Sequence, residues 1–464
     1  MPGELLSAPR LALTSETVEQ LSHSRQEPAW LRAVRLRALE AYERMPMPDQ
    51  RTEGWRRTSL RGLPFDEQDP LGHGADPLGH GADGSARPTA DNTDIARTDG
   101  SRGLAGTDAL AVQAGATLLA FRNGVAVGKS SGQGPRAMDL REALQDPELS
   151  PRIQRHFATL VPPESDKFTA LHYALFNVGV AIVIPRGAAV ADPIWITHDF
   201  DGQPDHTALV HTLVIAEEGS EVSVVEDYSG GSGVASGVVE QVLGPNAHVR
   251  YVQLQRWAPE VWSFSWQRAH LAQDASLKTL NVALGARTAR NTVQVLLEGR
   301  GGQVDILGVV DGHGRQYVDF ETLQEHSGNA TRSDLIIHNA LRDQSSANFT
   351  GLIRINTSAH QTESSQEQKN ILLSERSKAD SDPKLEILNN DVIRCTHGAA
   401  VGPVDQEMVF YLESRGLERA SAEQLIVEGF FQSTLRKLGL PRVEEALWSA
   451  IAEHETLAAA TNAE

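Results

Sequence analysis

The residues with the most chemical potential are Cys395 and His397, which stand two positions apart in VIRCTHGAAVG, residues 392–402. Cys395 is the only cysteine among 464 residues, so no disulfide can form within the chain. A thiol beside an imidazole can bind a metal ion or cluster, and it can also act as a nucleophile with its base. The third interpretation is that Cys395 is a small apolar side chain in a packed core.

Strand geometry decides how much of a metal site this pair can form. Val392 and Ile393 lead into a short strand, and residues two apart on a strand face the same side. We therefore expect Ile393, Cys395 and His397 on one face, with the Cα atoms of the last two ~6–7 Å apart. Structural zinc and iron–sulfur clusters take four ligands, so the pair needs ligands from elsewhere, such as another subunit. A nucleophile is disfavoured because nothing nearby supplies an orienting acid or an oxyanion hole.

A second stretch, NGVAVGKSSG at residues 123–132, is similar to a phosphate-binding loop. That motif has glycine five positions before its Gly-Lys pair, and here Asn123 stands there. No helix is expected to begin at Lys129, so we predict a hairpin turn and no nucleotide-binding residues. We also predict no catalytic residues, because the sequence shows no metalloprotease histidine pair and no identifiable carboxylate pair.

The region around Cys395 is almost wholly β in its pattern, with a polar turn followed by alternating apolar residues. The leading apolar residues of four such segments are separated by 27, 28 and 27 positions, at Val222, Val249, Leu277 and Val304. A fixed period of this length, with strands in each unit, predicts a β-helix or β-solenoid. The alternative is a β-sandwich with evenly spaced hairpins, but each repeat is long for a hairpin and too short for a βαβ unit.

Helices are predicted on both sides of this mainly β core. The predicted divisions are an N-terminal helical region, a flexible insert, a mixed α/β segment, the β-helix core and a C-terminal helical domain, over residues 1–65, 66–105, 106–165, 166–403 and 404–464. The clearest N-terminal helix covers residues 28–44, and Pro46 and Pro48 end it. The C-terminal domain reads as three helices that cover the open end of the solenoid, since a terminal turn otherwise exposes apolar faces and strand edges.

The predicted insert differs in composition from the rest of the chain. It contains the tandem heptad DPLGHGA at residues 69–75 and 76–82. Gly, Pro and Asp at this density bury too little apolar area to order a chain, so we predict a flexible segment. The repeated His73 and His80 leave a metal site as the alternative.

Composition restricts the classes of partner. The chain has 42 basic and 61 acidic residues, so its net charge is 42 − 61 = −19, and no Lys/Arg cluster offsets the acidic excess. Nucleic acid and anionic membranes are therefore not expected partners. No apolar run approaches the ~20 residues of a membrane span, and the N-terminus lacks a signal-peptide pattern. With a single cysteine, we expect a cytoplasmic protein.

Residues 381–430, SDPKLEILNNDVIRCTHGAAVGPVDQEMVFYLESRGLERASAEQLIVEGF, resemble the C-terminal signature of the SufB/SufD family of iron–sulfur cluster assembly proteins. EGWRRTSL at residues 53–60 is similar to the family's N-terminal Trp-x-x-Thr motif. Residues 166–187 resemble the start of its core, and residues 345–383 its polar ladder. The resemblance covers most of residues 28–430 apart from the insert.

Within the family, the sequence resembles the SufD branch more than the SufB branch. SufB-type chains carry a cysteine in the segment that corresponds to SSQEQKNILLSE, residues 364–375, and this chain has none there. SufB-type chains also have Glu-His-Glu where this chain has Cys395, Thr396 and His397. A SufB-like scaffold that holds the cluster itself is therefore the less favoured alternative.

The resemblance implies a right-handed parallel β-helix that acts as a non-catalytic scaffold subunit of a SufBCD complex. It would form a heterodimer with a SufB-like paralogue, and a SufC-like ATPase would bind the helical ends and pull on them. In isolation, the chain could form a homodimer. His397 matches the family's interface histidine, where a transient cluster would form opposite a SufB cysteine, with no cofactor tightly bound to this chain. Cys395 would be a transient ligand, a gate thiol or packing.

The resemblance also points to a docking surface for the ATPase in the C-terminal helices. The residues that we expect there are Phe410, Tyr411 and Arg415, with local packing of the helices as the alternative. The competing function from another class is a β-solenoid enzyme that cleaves carbohydrate, against which the lack of a signal-peptide pattern and of an identifiable carboxylate pair both count.

Overall fold

The computed structural model describes residues 13–64, 106–129, 136–202 and 208–462. The strands are β1 Thr117–Arg122, β2 Val125–Lys129, β3 Arg136–Asp139, β4 Val178–Ile184, β5 Ile194–Phe200, β6 Ala208–Ala216, β7 Glu221–Gly230, β8 Val234–Leu243, β9 His248–Trp257, β10 Trp262–Leu271, β11 Ser276–Ala283, β12 Thr288–Leu297, β13 Gln303–Gly312, β14 Tyr317–His326, β15 Arg332–Leu341, β16 Ser346–Ile355, β17 Thr362–Leu372, β18 Lys378–Ile387 and β19 Val392–Pro403. The helices are α1 Ser15–Ser24, α2 Ala29–Arg44, α3 Gly106–Gln113, α4 Leu140–Gln145, α5 Ser150–His156, α6 Lys167–Leu175, α7 Gln406–Ser414, α8 Arg419–Leu435 and α9 Pro441–Asn462. The insert predicted at 66–105, with His73 and His80, lies outside the described residues.

The strands form a two-sheet β-solenoid. In the described residues, the even-numbered strands β4 to β18 follow one another in a nine-stranded sheet that ends in β3, and the odd-numbered strands β5 to β19 follow one another in a ten-stranded sheet that ends in β1 and β2. Successive strands from β4 onward therefore alternate between the sheets, and each pairs in parallel with the strand two positions along the chain. This arrangement confirms the mainly β solenoid, and the β-sandwich alternative is wrong.

The sequence period equals one turn of the solenoid. Val222 pairs with Val249, Val249 with Leu277 and Leu277 with Val304, so the four repeat residues stack directly above one another. All four are buried in the core between the sheets. The stacking buries an apolar ladder because each turn places the same strand position on the previous turn in register.

The helices pack on the outer faces of the two sheets. α1, α2, α4, α5 and α6 share a buried cluster with outward residues of β6, β8 and β10 in the nine-stranded sheet, including Phe264 and Trp266. α3, α8 and α9 share another with outward residues of β5 to β15 in the ten-stranded sheet, including Trp195 and Val252. Parallel sheets are normally covered on both faces in this way.

The prediction that the C-terminal helices cover the open end of the solenoid is wrong. The three predicted helices are present as α7, α8 and α9, but α8 and α9 lie along the flank, because their apolar residues match outward apolar residues such as Val225 and Leu280. In the part of the chain that the structure describes, β18 and β19 are the last strands of their sheets. Among the described strands, neither β18 nor β19 has a pairing partner on its outer side.

The N-terminal end of the solenoid is covered by antiparallel strands. β1 pairs with β5 on one side and forms an antiparallel hairpin with β2 on the other, while β3 pairs antiparallel with β4. Asn123 and Gly124 make the hairpin turn with φ of +48° and +82°, the left-handed conformation that two-residue hairpin turns favour. The predicted hairpin is confirmed, and residues 130–132 of that stretch lie outside the described residues.

A segment after α2 fastens the N-terminal helices to the solenoid. Trp55 is buried, stacks on Phe168 with ring centroids 5.2 Å apart, and lies 4.5 Å from the Arg290 guanidinium. The Thr58 hydroxyl donates to a carboxylate oxygen of Asp319 at 2.5 Å, and both side chains are buried. The Trp-x-x-Thr motif thus links the chain before the insert to strands β12 and β14.

We predict that Thr58→Val lowers the free energy of unfolding by about 1–3 kcal/mol, because a buried carboxylate loses one donor while the shape of the side chain is kept. The shift of the urea unfolding midpoint measures this change. The matched control is Thr159→Val, whose exposed hydroxyl donates to the His156 carbonyl oxygen and should change stability by less than about 0.5 kcal/mol. Equal shifts for the two variants would contradict the role assigned to Thr58.

Candidate functional site

Cys395 and His397 lie on β19, the terminal strand of the ten-stranded sheet in the described chain. Cys395 pairs with Ser364 and His397 with Gln366, and both partners on β17 are buried. The pairs Val304–Ser333 and Ser333–Ser364 continue the apolar ladder described above. Cys395 is therefore the last member of the ladder that begins at Val222, and both site residues lie at inward-facing positions of the open end.

The expectation that Ile393 shares this face is wrong. Thr362 pairs with Val392, but Glu363 pairs with Arg394, so Ile393 is an additional residue opposite the partner strand. Such a β-bulge breaks the alternation of side chains on one strand. Ile393 is 64% exposed, whereas Val392 packs beside Cys395 against a buried aliphatic cluster.

Cys395 is in an apolar environment. The residue is half-buried and packs against the cluster of Ile353, Ile355 and Ala359. Burial raises the pKa of the Cys395 thiol above its usual value. A raised pKa keeps the group as a thiol near neutral pH, where a nucleophile or a metal ligand must be a thiolate. In the chain on its own, this environment therefore favours a packing role for Cys395 and does not activate its thiol as a nucleophile.

The His397 side chain is exposed and has no hydrogen-bond partner or ion pair within the described residues. Its neighbour Gln366 belongs to a buried polar network that sequence reasoning did not assign to the site. The Gln366 amide donates to Gln324 Oε1 at 3.0 Å, and Gln324 in turn donates to Ser333 Oγ at 2.7 Å. The alternating polar residues of TESSQEQKN, residues 362–370, are the signal that marks this lining, since every second one is buried.

The network continues inward to His326. Its Nδ1 lies 2.8 Å from Thr331 Oγ1 and its Nε2 lies 2.8 Å from Ser333 Oγ, while Ser333 Oγ lies 2.7 Å from Ser364 Oγ. Burial lowers the pKa of His326 to about 4, so this imidazole is neutral near pH 7. The inner wall next to the site is thus polar and hydrogen-bonded but carries no charge from His326.

The site is incomplete on this chain. Cys395 and His397 offer one sulfur and one nitrogen, and neither belongs to a group of three or more metal-ligating side chains among the described residues. Structural metal sites and iron–sulfur clusters usually need four ligands. The remaining ligands would have to come from outside the described chain.

The edges beside the site carry exposed apolar residues. On and after β18 these are Leu385, Ile387 and Leu388, and on β19 they are Ile393 and Val401, each at least 38% exposed. Unpaired strand edges with apolar side chains are typical surfaces for pairing with another chain. We call this surface the open end, defined by strands β18 and β19.

The three predicted docking residues lie on α7 and at its end. Phe410 is 71% exposed and Tyr411 is 55% exposed, and the Arg415 guanidinium lies 5.2 Å from the centroid of the Tyr411 ring. The opposite side of α7 buries Val409 completely, in a cluster with Val404 and Ala422. The helix is therefore anchored through Val409, and Phe410 is not part of that packing.

No helix among the described residues is both long and apolar enough to cross a membrane.

Comparison with known proteins identifies relatives over nearly the whole chain. The model of the family "SUF system FeS cluster assembly, SufBD core domain" matches residues 199–430, which include the turns from β6 to the open end and part of the C-terminal helices. The iron-sulfur cluster assembly protein SufD of Bacillus subtilis (strain 168) is 27% identical over 466 residues, which cover 95% of this chain and 98% of that protein.

Two further relatives belong to the same group of proteins. An iron-sulfur cluster assembly SufBD family protein of Mycobacterium tuberculosis is 30% identical over 298 residues, 63% of this chain and 74% of that protein. The iron-sulfur cluster assembly protein SufB of Bacillus subtilis (strain 168) is 26% identical over 434 residues, 92% of this chain and 90% of that protein. Overall identity therefore separates the SufD and SufB relatives little.

We predict that Cys395 reacts slowly with iodoacetamide at neutral pH. When the reaction rate is measured over a range of pH, the pH at which it reaches half of its maximum should be higher in the folded protein than in the unfolded chain. The reason is that burial raises the thiol pKa in the folded state, so less thiolate exists at a given pH. Mass spectrometry of the folded protein and of the protein in concentrated urea measures both midpoints, with Cys395→Ser as the background. A folded midpoint at or below the unfolded one would contradict the prediction.

Proposed function

Because the chain belongs to the SufBD family of iron–sulfur cluster assembly proteins, we propose that it is the SufD-like scaffold subunit of an assembly complex. Its partners in this proposal are a SufB-like paralogue and a SufC-like ATPase. The subunit itself catalyses no reaction, and the iron–sulfur cluster is its cargo. The proposed place of action is the cytoplasm, a reducing compartment in which a free thiol such as Cys395 persists.

The observation that carries the proposal is the half site at the open end. His397 is exposed at an inward-facing position of the terminal strand, and Cys395 precedes it on the same side. A paralogue with the same kind of open end could pair its own terminal strands with β18 and β19 and so supply the missing ligands. Because the surface is an open sheet edge, two copies of this chain could also pair through it when the paralogue is absent.

The ligand chemistry supports a transient cluster at this joint. The imidazole of His397 is a suitable nitrogen ligand for iron, and thiolates from the paralogue would supply the soft ligands. Cys395 could bind the cluster only as a thiolate. Its raised pKa opposes the loss of the thiol proton, whereas a nearby iron ion would favour it. In this proposal the cluster is held weakly on the scaffold side and can leave for an acceptor protein.

The outer side of α7 is the proposed dock for the ATPase. Phe410 and Tyr411 present aromatic surface there, and Arg415 adds a positive charge beside it. Aromatic residues and arginine are the types that contribute most to binding energy at interfaces. ATP-driven approach of two ATPase subunits would pull on α7 and on the end of β19, and so open the joint between the two scaffolds.

We predict that His397→Ala lowers cluster assembly on the complete complex by more than about 10-fold, since loss of outer partners of a metal ligand alone costs 10–100-fold. The three proteins are co-expressed, purified, and reconstituted with iron and sulfide without oxygen, and the cluster is followed by its visible absorption. His248→Ala, which removes another exposed imidazole on β9, is the matched control. Unchanged assembly by an intact complex with His397→Ala would refute the role of His397.

We also predict that Ile393→Asp and Phe410→Ala separate the two interfaces. Ile393→Asp should reduce co-purification of the paralogue but not of the ATPase, because a charge at the edge must lose its water when another strand pairs there. Phe410→Ala should have the reverse effect, since Ile393 lies at the start of β19 and Phe410 lies on α7, which follows the other end of that strand. Val112→Asp, at a residue 68% exposed on α3, controls for added surface charge. Loss of both partners by either variant would contradict the assignment of separate surfaces.

A further inference from the structure

A second group of metal-ligating side chains lies at the contact between α9 and the rim of the solenoid. Asp311 is on β13, His313 is in the turn before β14, and His454 is on α9. One ligand atom from each lies within 4.8 Å of the others, and this is the one group of three such residues that the described ranges contain. The proposed scaffold function does not use these residues.

The distances suit a small divalent ion. His313 Nε2 lies 3.1 Å from Asp311 Oδ2, and ligands bound at ~2.0–2.2 Å to one metal ion lie roughly 3–3.5 Å apart for octahedral to tetrahedral angles. The ligand atom of His454 lies within 4.8 Å of those of Asp311 and His313, so its ring must move closer for all three to bind one ion. Two imidazoles and one carboxylate form a ligand set that binds zinc, iron or cobalt in other proteins.

His454 has the hydrogen-bonding state expected of a metal ligand. Its Nε2 is buried and has no hydrogen-bond partner among the described residues, while its ring lies close to the backbone of Asp311. Metal-bound histidines commonly use one ring nitrogen for the metal and the other for a carbonyl or carboxylate.

The carboxylate is held in place by a second layer of charges. Asp311 Oδ1 accepts from Arg342 Nη1 at 2.7 Å, and Arg342 Nη2 donates to Glu455 Oε1 at 3.2 Å. Oδ2 therefore remains directed at His313. The negative charge of Glu455 offsets the positive charge of Arg342, so this arginine adds little net positive charge beside the site.

We propose that Asp311, His313 and His454 bind one divalent transition-metal ion of the zinc class. Three protein ligands leave a position open, and His313 and His454 both line a surface cavity of about 620 Å³ that could supply it with water or a small donor. Trp257, Pro259 and Ala450 form part of the cavity wall. The bound ion joins α9 to the turn between β13 and β14 and so fixes the C-terminal helix on the flank of the solenoid.

The test uses the untagged full-length chain after treatment with a chelator, with Zn²⁺ alone or Co²⁺ alone as the probe. We expect one high-affinity Zn²⁺ per chain by calorimetry, visible absorption bands on Co²⁺ binding, and a rise of the thermal midpoint with Zn²⁺. His454→Gln and His313→Gln should each weaken Zn²⁺ binding by more than about 10-fold and abolish the rise. Circular dichroism of each variant checks that the fold is kept.

Two sets of control variants separate this site from others. His248→Ala removes an exposed imidazole from β9 and should bind Zn²⁺ like the wild type. The double variant His73→Ala/His80→Ala removes the histidines of the tandem heptads and should also retain the site. The proposal is overturned if the wild type binds neither ion, if His454→Gln and His313→Gln bind as the wild type does, or if binding is lost with His73→Ala/His80→Ala instead.

Discussion

Parallel in-register pairing of each turn with the next is the constraint on which the rest of the structure depends. From Val222 to Val304, one inward position per turn is stacked on the same position of the turn before it. The pairing satisfies the backbone groups of both neighbours for every internal strand. It also means that the final turn cannot close by itself, because its strands have a partner on one side only. The open end at β18 and β19 follows directly from the fold.

The chemistry of the solenoid interior changes toward that open end. The ladder that starts with apolar residues continues as Ser333, Ser364 and Cys395. Buried hydroxyl and amide groups cost free energy unless they are hydrogen-bonded, and the network around Gln324 and Gln366 provides many of these bonds. The last turns are therefore held more by polar contacts than by an apolar core, which suits a surface that must pair with a second protein.

The sequence predicts the solenoid because its apolar turns repeat at 27 and 28 residues. The same ladder then runs through Ser333, Ser364 and Cys395 at spacings of 29, 31 and 31 residues. There the turns lengthen and the residues become polar, so the repeat is no longer visible as a hydrophobic pattern. The bulge at Ile393 also escapes prediction, because alternation assumes an unbroken strand.

The position of the C-terminal helices is a second limit of sequence reasoning. Their apolar faces are visible in the sequence, but which surface they cover depends on outward residues such as Trp195 and Val252, more than 150 positions earlier in the chain. The same holds for Asp311 and His454, which are 454 − 311 = 143 positions apart and meet only because α9 lies on the flank. Contacts between distant segments are set by tertiary packing.

The flank position of the helices also connects the two proposed interfaces. The Phe430 ring of α8 stacks on His338 of β15 with centroids 4.2 Å apart, while α7 packs through Val409 beside Ile371 and Leu373 at the end of β17. A pull on α7 therefore acts on the last odd-numbered strands directly. Because β19 pairs with one strand and its internal neighbours pair with two, β19 is held by about half as many ladder hydrogen bonds. Displacement of α7 should thus move the strand that carries His397 more easily than any internal strand of the sheet.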